Sequence, residues 1–452
     1  MDLDMLRSGQ LAGQKRLNLS CGLTEFPLEI LDLADSLEIL DLSNNHLSTL
    51  PEAFGQLSKL KAVFFTNNAF EEFPAVLSTC PALSMISFKG NQLKTIGEQI
   101  LSPIVRWLIL TDNQLETLPA DIGKLSKLQK CMLAGNRLRS VPDELANCHN
   151  LELIRLSANC LETLPKHLLD LPRLSWLAYA GNPFCEGLGE SGAISGRSLP
   201  LIDIDELQLG DVLGQGASGV IYKALWKPQS TDSASPQEVA IKLFKGDITS
   251  DGLPLDEMQA CIAAGSHPHL VTVLGKLNHT LEGKTGLVFS FIPADHEKLG
   301  NPPSLETCSR DTYSDDTSFT LPVIVQIARS IASAAMHLHA NGVMHGDLYA
   351  HNTLVNKTGE AILSDLGAAS FYDATDTATG QALERLEVRA FGCLLEDLLD
   401  RYAPTGETQE EDATRLPRLR HLQQDCMQPS PALRPLFTDI HEALASPNNF
   451  LK

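Results

Sequence analysis

The sequence predicts an α/β solenoid in its first half and a separate α+β domain in its second. Three observations carry this. Leucine-rich segments recur every 22–23 residues up to about residue 184. Near Asp203 that period gives way to longer strand-like runs around a glycine-rich turn. Further on, "LPVIVQIARSIASAAMHLHANG" has the apolar spacing of a helix, with Gly342 as its stop. The expected layout is a repeat array over 14–184, a Gly/Ser-rich linker over 185–202 and a second domain over 203–452.

The repeat copies start at Leu37, Leu60, Leu83, Val105, Leu128, Leu151 and Leu174, with steps of 23, 23, 22, 23, 23 and 23 residues. Each carries an Asn at its ninth position: Asn45, Asn68, Asn91, Asn113, Asn136, Asn159 and Asn182. A weaker first copy, "LNLSCGLTEFP", has Gly22 there. No copy can bury its apolar face alone, so neighbours must stack. The leucines of each short strand should point inward, and the Asn side chain should satisfy backbone groups of the turn that follows it. The pattern resembles a leucine-rich repeat array. It implies a curved parallel sheet whose concave face carries an apolar stripe of Phe64, Met85, Trp107, Ile109, Met132, Leu153 and Trp176. Such a stripe suits a protein partner, either another chain or this protein's own second domain. A plain spacer role is the alternative.

The chain has 452 residues, 43% of them apolar and 20% charged, and a net charge of −21. Residues 1–200 hold 17 Lys+Arg and 22 Asp+Glu (−5), leaving −16 for the rest. That acidity argues against nonspecific binding to nucleic acid or anionic membrane. No run of 18 consecutive apolar residues predicts a membrane span, and "MDLDMLRSGQ" lacks a secretory pattern. Ten cysteines without a C-x-x-C pair read as reduced thiols, and a cytoplasmic location is expected.

The second half carries a series of motifs in order. Gly214, Gly216 and Gly219 form G-x-G-x-x-G between two strand-like runs, where a dinucleotide fold would place them between strand and helix. "EVAIKLF" holds Lys242, and Glu257 lies ten residues before "HPHLV". "TGLVFSFIP", "HGDLYAHN", "LSDLG" and "CMQPSPALRPLFTDI" follow. "HEKLGNPPSLETCSRDTYSDDTSFT" reads as a polar surface loop.

This series resembles a protein kinase, and its arrangement after the repeats is similar to cytosolic repeat kinases of bacteria and some eukaryotes. The resemblance implies a two-lobed domain that uses ATP and Mg²⁺. The backbone of Gly214, Gly216 and Gly219 would approach the phosphates, and Lys242 would hold them with Glu257 as its partner; neighbouring Asp256 fits that role less well. Leu213, Val220, Ala240 and Leu354 would sandwich adenine, with Phe289 as gatekeeper and backbone groups of Ser290 and Ile292 facing the base. Asp347 would be the catalytic base, and Asn352 and Asp365 would hold Mg²⁺.

Several positions depart from the family pattern. Gly346 stands where an Arg is usual, which argues against switching by loop phosphorylation. Tyr349 stands where a Lys is usual, and a protonated His351 could partly replace that Lys. Leu366 replaces Phe beside Asp365. Glu387 takes the place of an Asp in a late helix, Ala382–Glu384 weakly matches A-P-E, and Arg434 could pair with Glu384. Serine or threonine of a protein is the expected acceptor. A pseudokinase adaptor and a small-molecule kinase are the alternatives, the latter because H-G-D-L wording also occurs in aminoglycoside-type kinases.

Overall fold

The computed structural model describes residues 3–98, 101–188, 199–216, 218–228, 235–246, 248–281, 283–404 and 409–445. Two compact units emerge: Met1–Leu174 with Asn182–Phe184, and Ser175–Gly181 with Cys185–Lys452.

The first unit opens on a short helix α1 (Leu3–Arg7), which buries Leu6. Seven three-residue strands follow at the repeat spacing: β1 (Arg16–Asn18), β2 (Ile39–Asp41), β3 (Ala62–Phe64), β4 (Met85–Ser87), β5 (Trp107–Ile109), β6 (Lys130–Met132) and β7 (Leu153–Arg155). Each pairs in parallel with the next. Short 3-10 helices such as Glu52–Gln56 and Asp143–Asn147 return the chain, entered from a proline whose fixed φ suits the turn (Pro51 φ −71, Pro142 φ −63). Between strands and returns lies a dry core of leucines, with Phe54, Phe65, Phe70 and Phe88 packed ring against ring at its N-terminal end.

The recurrent asparagines are buried and work backwards rather than forwards. Asn45 Oδ1 accepts from the N–H groups of Cys21 and Leu23 in the preceding copy, while its Nδ2 donates to Leu19 O and Leu42 O. Asn91, Asn136 and Asn159 repeat the arrangement. Each side chain therefore ties one copy to the last, so that buried backbone groups are not left unpaired.

The expected apolar stripe is only partly open to solvent. Phe64, Trp107 and Ile109 are partly exposed, whereas Met85, Met132 and Leu153 are buried. In-register pairing explains part of this: Met85 lies between Ala62 and Trp107, Met132 between Ile109 and Arg155, and Leu153 beside Lys130. At a strand spacing of about 4.8 Å such neighbours cover one another. The Lys130 ammonium also sits 4.5 Å over the Trp107 ring.

In the second unit, β8 (Trp176–Ala178) is buried. It is followed by β9 (Leu201–Ile202), β10 (Leu207–Gln215), β11 (Gly219–Trp226), β12 (Gln237–Phe244), helix α2 (Pro254–Ala264), β13 (Val273–Leu277) and β14 (Gly286–Ser290). These strands make one sheet in the order β10-β11-β12-β14-β13-β9. Its core holds Ile202, Val239, Ile241, Leu243, Leu277 and Val288. The expected linker thus ends in a strand of this sheet; its residues 189–198 lie outside those described.

The larger lobe contains β15 (Glu297–Lys298), α3 (Leu321–Ala340), β16 (Val343–Met344), β17 (Thr353–Val355), β18 (Ala361–Leu363), β19 (Ser370–Phe371), α4 (Thr377–Asp400), α5 (Gln409–Cys426) and α6 (Phe437–Ala445). Helix α3 is long and apolar enough to cross a membrane by length and composition, but 56% of its apolar window is buried inside the protein, as in a core helix. It ends at Ala340 with Asn341 as its C-cap, and Gly342 follows in the left-handed region at φ 68. The polar stretch 296–320 is no free surface loop: β15 pairs with β17, and Leu299, Cys308, Ser309 and Asp311 are buried. The weak A-P-E match, Ala382–Glu384, falls inside α4, whose start at Thr377 leaves only residues 366–376 between it and Asp365.

Candidate active site

The glycine-rich turn joins β10 to β11, with the Gly216 N–H donating to Gly219 O at 2.9 Å and Lys245 Nζ donating to Gly216 O at 2.9 Å. The glycines differ in what fixes them. A Cβ on Gly219 would lie 2.5 Å from Leu243 O, so the neighbouring strand requires glycine there. A Cβ on Gly214 or Gly216 would meet nothing within 4 Å, and the backbone there faces open space of the kind a phosphate chain could fill.

Lys242 on β12 forms an ion pair with Glu257 on α2, the carboxylate almost fully buried. Pro254 starts the helix where its missing N–H costs nothing, which places Glu257 in the first turn. Burial disfavours the Lys242 cation, but Glu257 and Asp365 more than offset this and hold its pKa above the ordinary value. Asp256 points elsewhere; its Oδ2 has no hydrogen-bond partner, and burial pushes its pKa up to about 6. Asp365 is exposed, has φ 58 and accepts from the Gly367 N–H at 3.1 Å. A Cβ on Gly367 would lie 3.1 Å from Asp365 Oδ1 and 3.7 Å from Glu257 Oε2, so these acidic groups share one corner of the cleft.

Around the expected base pocket, Leu213 is half exposed, Val220, Ala240 and Leu354 are partly buried, and Phe289 is buried. The Ser290 N–H donates to Thr272 O at 2.9 Å. The Ile292 N–H makes no hydrogen bond among the described residues and remains available to a ligand.

The loop His345–Asn352 is held from three sides. Glu387 of α4 accepts from the backbone N–H groups of His345 (3.2 Å) and Gly346 (2.7 Å) and from His339 Nε2 (2.8 Å). Burial alone would raise the Glu387 pKa, but these partners hold it below the usual carboxylate range. On another side Asp311 accepts from the Ala350 and His351 N–H groups and from His351 Nδ1 at 2.6 Å. Its neighbour Arg310 is clamped by Glu396 and Asp397. Burial pulls the His351 pKa down, but Asp311, Asp347 and Asp365 outweigh it and hold it above the ordinary imidazole value. On the third side stands Trp176, only 1% exposed, stacked on Tyr349 with ring centroids 4.3 Å apart. Trp176 is therefore unavailable to a partner chain. Tyr349 packs in turn on His351, centroids 4.8 Å apart.

Within the loop, Asn352 Nδ2 donates to Asp347 O and to Asp347 Oδ2 at 2.8 Å. That orientation leaves Asn352 Oδ1 as a ligand atom. With the Asp365 carboxylate it gives two oxygen donors, a set that suits a hard cation bound mainly through phosphates and water, such as Mg²⁺. Among the described residues no group of three or more His, Cys, Asp or Glu side chains could hold a metal by itself.

Gly346 has φ 74, and a Cβ there would sit 2.5 Å from Ala368 O and 2.7 Å from Leu177 O. The absent arginine is thus excluded by backbone on both sides. Arg434 donates to Gln428 O and Arg385 O, and Glu384 accepts from the Phe437 N–H. Sequence reasoning missed Asp311, which no motif marks, and the packing of Trp176. The paired aromatic residues at unusual positions, Trp176 and Tyr349, were the available signal for the latter.

Comparison with known proteins agrees with this architecture. Residues 207–392 match the protein tyrosine and serine/threonine kinase family, and residues 35–93 and 126–184 match leucine rich repeats. The chain is 26% identical over 282 residues to probable serine/threonine-protein kinase gdt4 of Dictyostelium discoideum, covering 54% of this chain and 16% of that protein. It is 26% identical to dual specificity protein kinase shkD of the same organism, covering 53% and 34%. It is 31% identical over 188 residues to serine/threonine-protein kinase PknK of Mycobacterium tuberculosis, covering 40% and 15%. The chain thus spans about a third or less of the length of these relatives. A solved Leptospira interrogans LRR protein is 31% identical, covering 39% of this chain and 45% of that one, with a TM-score of 0.38. The chain is built as a leucine-rich repeat array followed by a protein kinase domain.

Proposed function

We propose that the chain is an ATP-dependent protein kinase that transfers the γ-phosphoryl group to serine or threonine hydroxyls. The observation that carries this reading is the buried Lys242–Glu257 ion pair, with Asp365 sharing its corner of the cleft. A buried charge pair without a task is a weak source of stability. Here it stands beside a glycine turn with open space and an oxygen-donor pair.

In this reading Lys242 binds the α- and β-phosphates and Glu257 orients it. Asp347, fixed by Asn352 Nδ2, orients the acceptor hydroxyl and takes its proton as the phosphoryl group transfers. Asn352 Oδ1 and Asp365 hold Mg²⁺, which when bound neutralises phosphate charge. Leu213, Val220, Ala240 and Leu354 enclose the adenine, and Ile292 N–H meets its edge. His351, charged through Asp311, supplies part of the positive field that a Lys at 349 would give. The partly exposed Phe64, Trp107 and Ile109 are the portion of the repeat face proposed to recruit a protein partner. The chain is proposed to act in the cytoplasm, in keeping with its ten free cysteines.

The test is transfer from labelled MgATP by the full chain beside Asp347→Asn and Lys242→Met. Label on the wild type or on a generic protein substrate, absent with both variants, is the expected result. No transfer, together with no Mg²⁺-dependent ATP binding, would replace this reading with that of an adaptor. Binding without transfer to any protein would direct the search to small-molecule acceptors.

A further inference from the structure

The segment Ser175–Gly181 reaches three parts of the second unit at once. The Trp176 indole N–H donates to Leu348 O at 3.1 Å, and its ring lies on Tyr349 with an interplanar angle of 7°. Leu177 O occupies the space beside Gly346 where a side chain would begin. The Tyr179 N–H donates to Ser370 Oγ at 2.9 Å, in the segment after Asp365. Ser175 Oγ accepts from Arg389 Nη1 at 2.6 Å, on α4. Trp176, Leu177, Ala178 and Tyr179 are all buried.

The segment 366–376 also touches the loop, since its β19 pairs with β16 just before His345, but it offers no phosphate-dependent means of holding it. It contains no Lys or Arg. Ser370 is fully buried, and the Tyr372 hydroxyl donates to His339 O. Thr375 is exposed, but its hydroxyl donates to Asp373 Oδ1 at 2.6 Å, and Asp376 is adjacent. A phosphate on Thr375 would face carboxylates rather than cations. The usual receiver at position 346 is sterically excluded.

We propose that β8 is a built-in positioning strand of the catalytic loop, with Trp176 as its positioning residue. It fixes residues 346–349, and with them Asp347, for transfer without phosphorylation of segment 366–376. The inference rests on the phosphoryl-transfer reading above. Trp176 touches neither nucleotide nor acceptor; it acts through the backbone of Leu348 and the ring of Tyr349. Losing it should therefore lower kcat while leaving the nucleotide site intact.

The test uses the full chain as wild type, Trp176→Ala, Trp176→Phe and Ser370→Ala. Expected for Trp176→Ala are a kcat at least tenfold lower, a KM for MgATP within about threefold of wild type, and faster hydrogen exchange at the amides of residues 346–352. Trp176→Phe should restore most of kcat, because the stack is kept and only the indole hydrogen bond is lost. Phosphatase treatment of the wild type should leave its rate unchanged. A Trp176→Ala kcat within twofold of wild type, or a wild-type rate that needs phosphate within 366–376, would overturn the proposal. If Trp176→Ala does not fold, Ser370→Ala, which removes the acceptor of the Tyr179 N–H, carries the same kcat and exchange comparison. If the wild type transfers nothing, the kinase reading fails by itself. The exchange of residues 346–352 then still decides the positioning role: unchanged protection in Trp176→Ala, or in Ser370→Ala where the former does not fold, refutes it.

Discussion

Gly346→Ala would set a new methyl group against two backbone carbonyls at once. The residue sits at φ 74, and the added Cβ would come 2.5 Å from Ala368 O and 2.7 Å from Leu177 O. Both obstacles are backbone atoms, so no side chain can swing aside. The Gly346 N–H is meanwhile fixed on Glu387 Oε1 at 2.7 Å, which prevents the residue itself from retreating. Left-handed backbone costs an L-residue about 1–2 kcal/mol, and overpacking of this kind costs about 1–3 kcal/mol. Together they predict a loss of about 2–5 kcal/mol, a large share of the stability of a typical domain. Urea unfolding of the full chain in a Trp107→Phe background reads the second unit, because the remaining tryptophans, Trp176 and Trp226, both belong to it. With a slope of about 2 kcal/mol/M the midpoint should fall by about 1–2.5 M. Gly214→Ala is the stability control, since its Cβ meets nothing within 4 Å. Gly346→Arg should be at least as damaging as Gly346→Ala, although it writes the familiar motif back into the loop. A Gly346→Ala protein within about 0.5 kcal/mol of wild type would refute the steric argument.

Four further outcomes are expected. Glu257→Leu should destabilise the second unit by about 3–5 kcal/mol by leaving the Lys242 charge unpaired, and adding Lys242→Met should recover much of that loss in a double-mutant cycle of unfolding. Asp256→Asn should stabilise by about 1–2 kcal/mol at pH 8 after allowance for solvent screening. The Asp256 pKa is raised from 3.8 to about 6, so the folded state carries the penalty fully above pH 6 and not below 3.8; the gain should therefore grow between those values in a pH series of melts. Glu387 is the opposite case: its folded pKa is depressed below 4.5, so its contribution is complete above 4.5 and lost as pH falls through the folded value, and Glu387→Gln should flatten that acid limb. Asp311→Ala strands the Ala350 and His351 N–H groups and should cost about 2–4 kcal/mol in urea melts, with a lower kcat.

The solenoid could be read from the sequence because one short pattern recurs in register, and stacking is the only way such copies can bury their leucines. The Lys242–Glu257 pair and the Asp347–Asn352 loop were legible for a related reason: phosphate chemistry demands fixed residue types at recurring spacings. Other features lay outside any local pattern. Asp311 looks like one acid in a polar stretch, and only the folded chain brings its carboxylate to the Ala350 and His351 N–H groups. Gly346 read as a lost arginine, whereas it is a close approach of three backbone segments. The repeat face read as an open apolar stripe because spacing gives the side of a strand but not what lies against it. Met85, Met132, Leu153 and Trp176 are the residues where that inference stopped short.

The seventh repeat copy therefore obeys two grammars at once. Its spacing, from Leu174 to Asn182, is that of the array, and Asn182 still accepts from the Leu161 N–H at 3.0 Å. Yet the residues between them are spelled for the catalytic loop. The compact unit that holds the kinase-family match thus begins earlier in the chain than that match at residue 207. A chimera that joined this kinase domain to a foreign array anywhere after Gly181 would leave behind the strand that touches Gly346, Leu348 and Tyr349. Modular exchange would respect the domain names and still cut the machine, and Trp176 and Tyr349 should be inherited together or exchanged together.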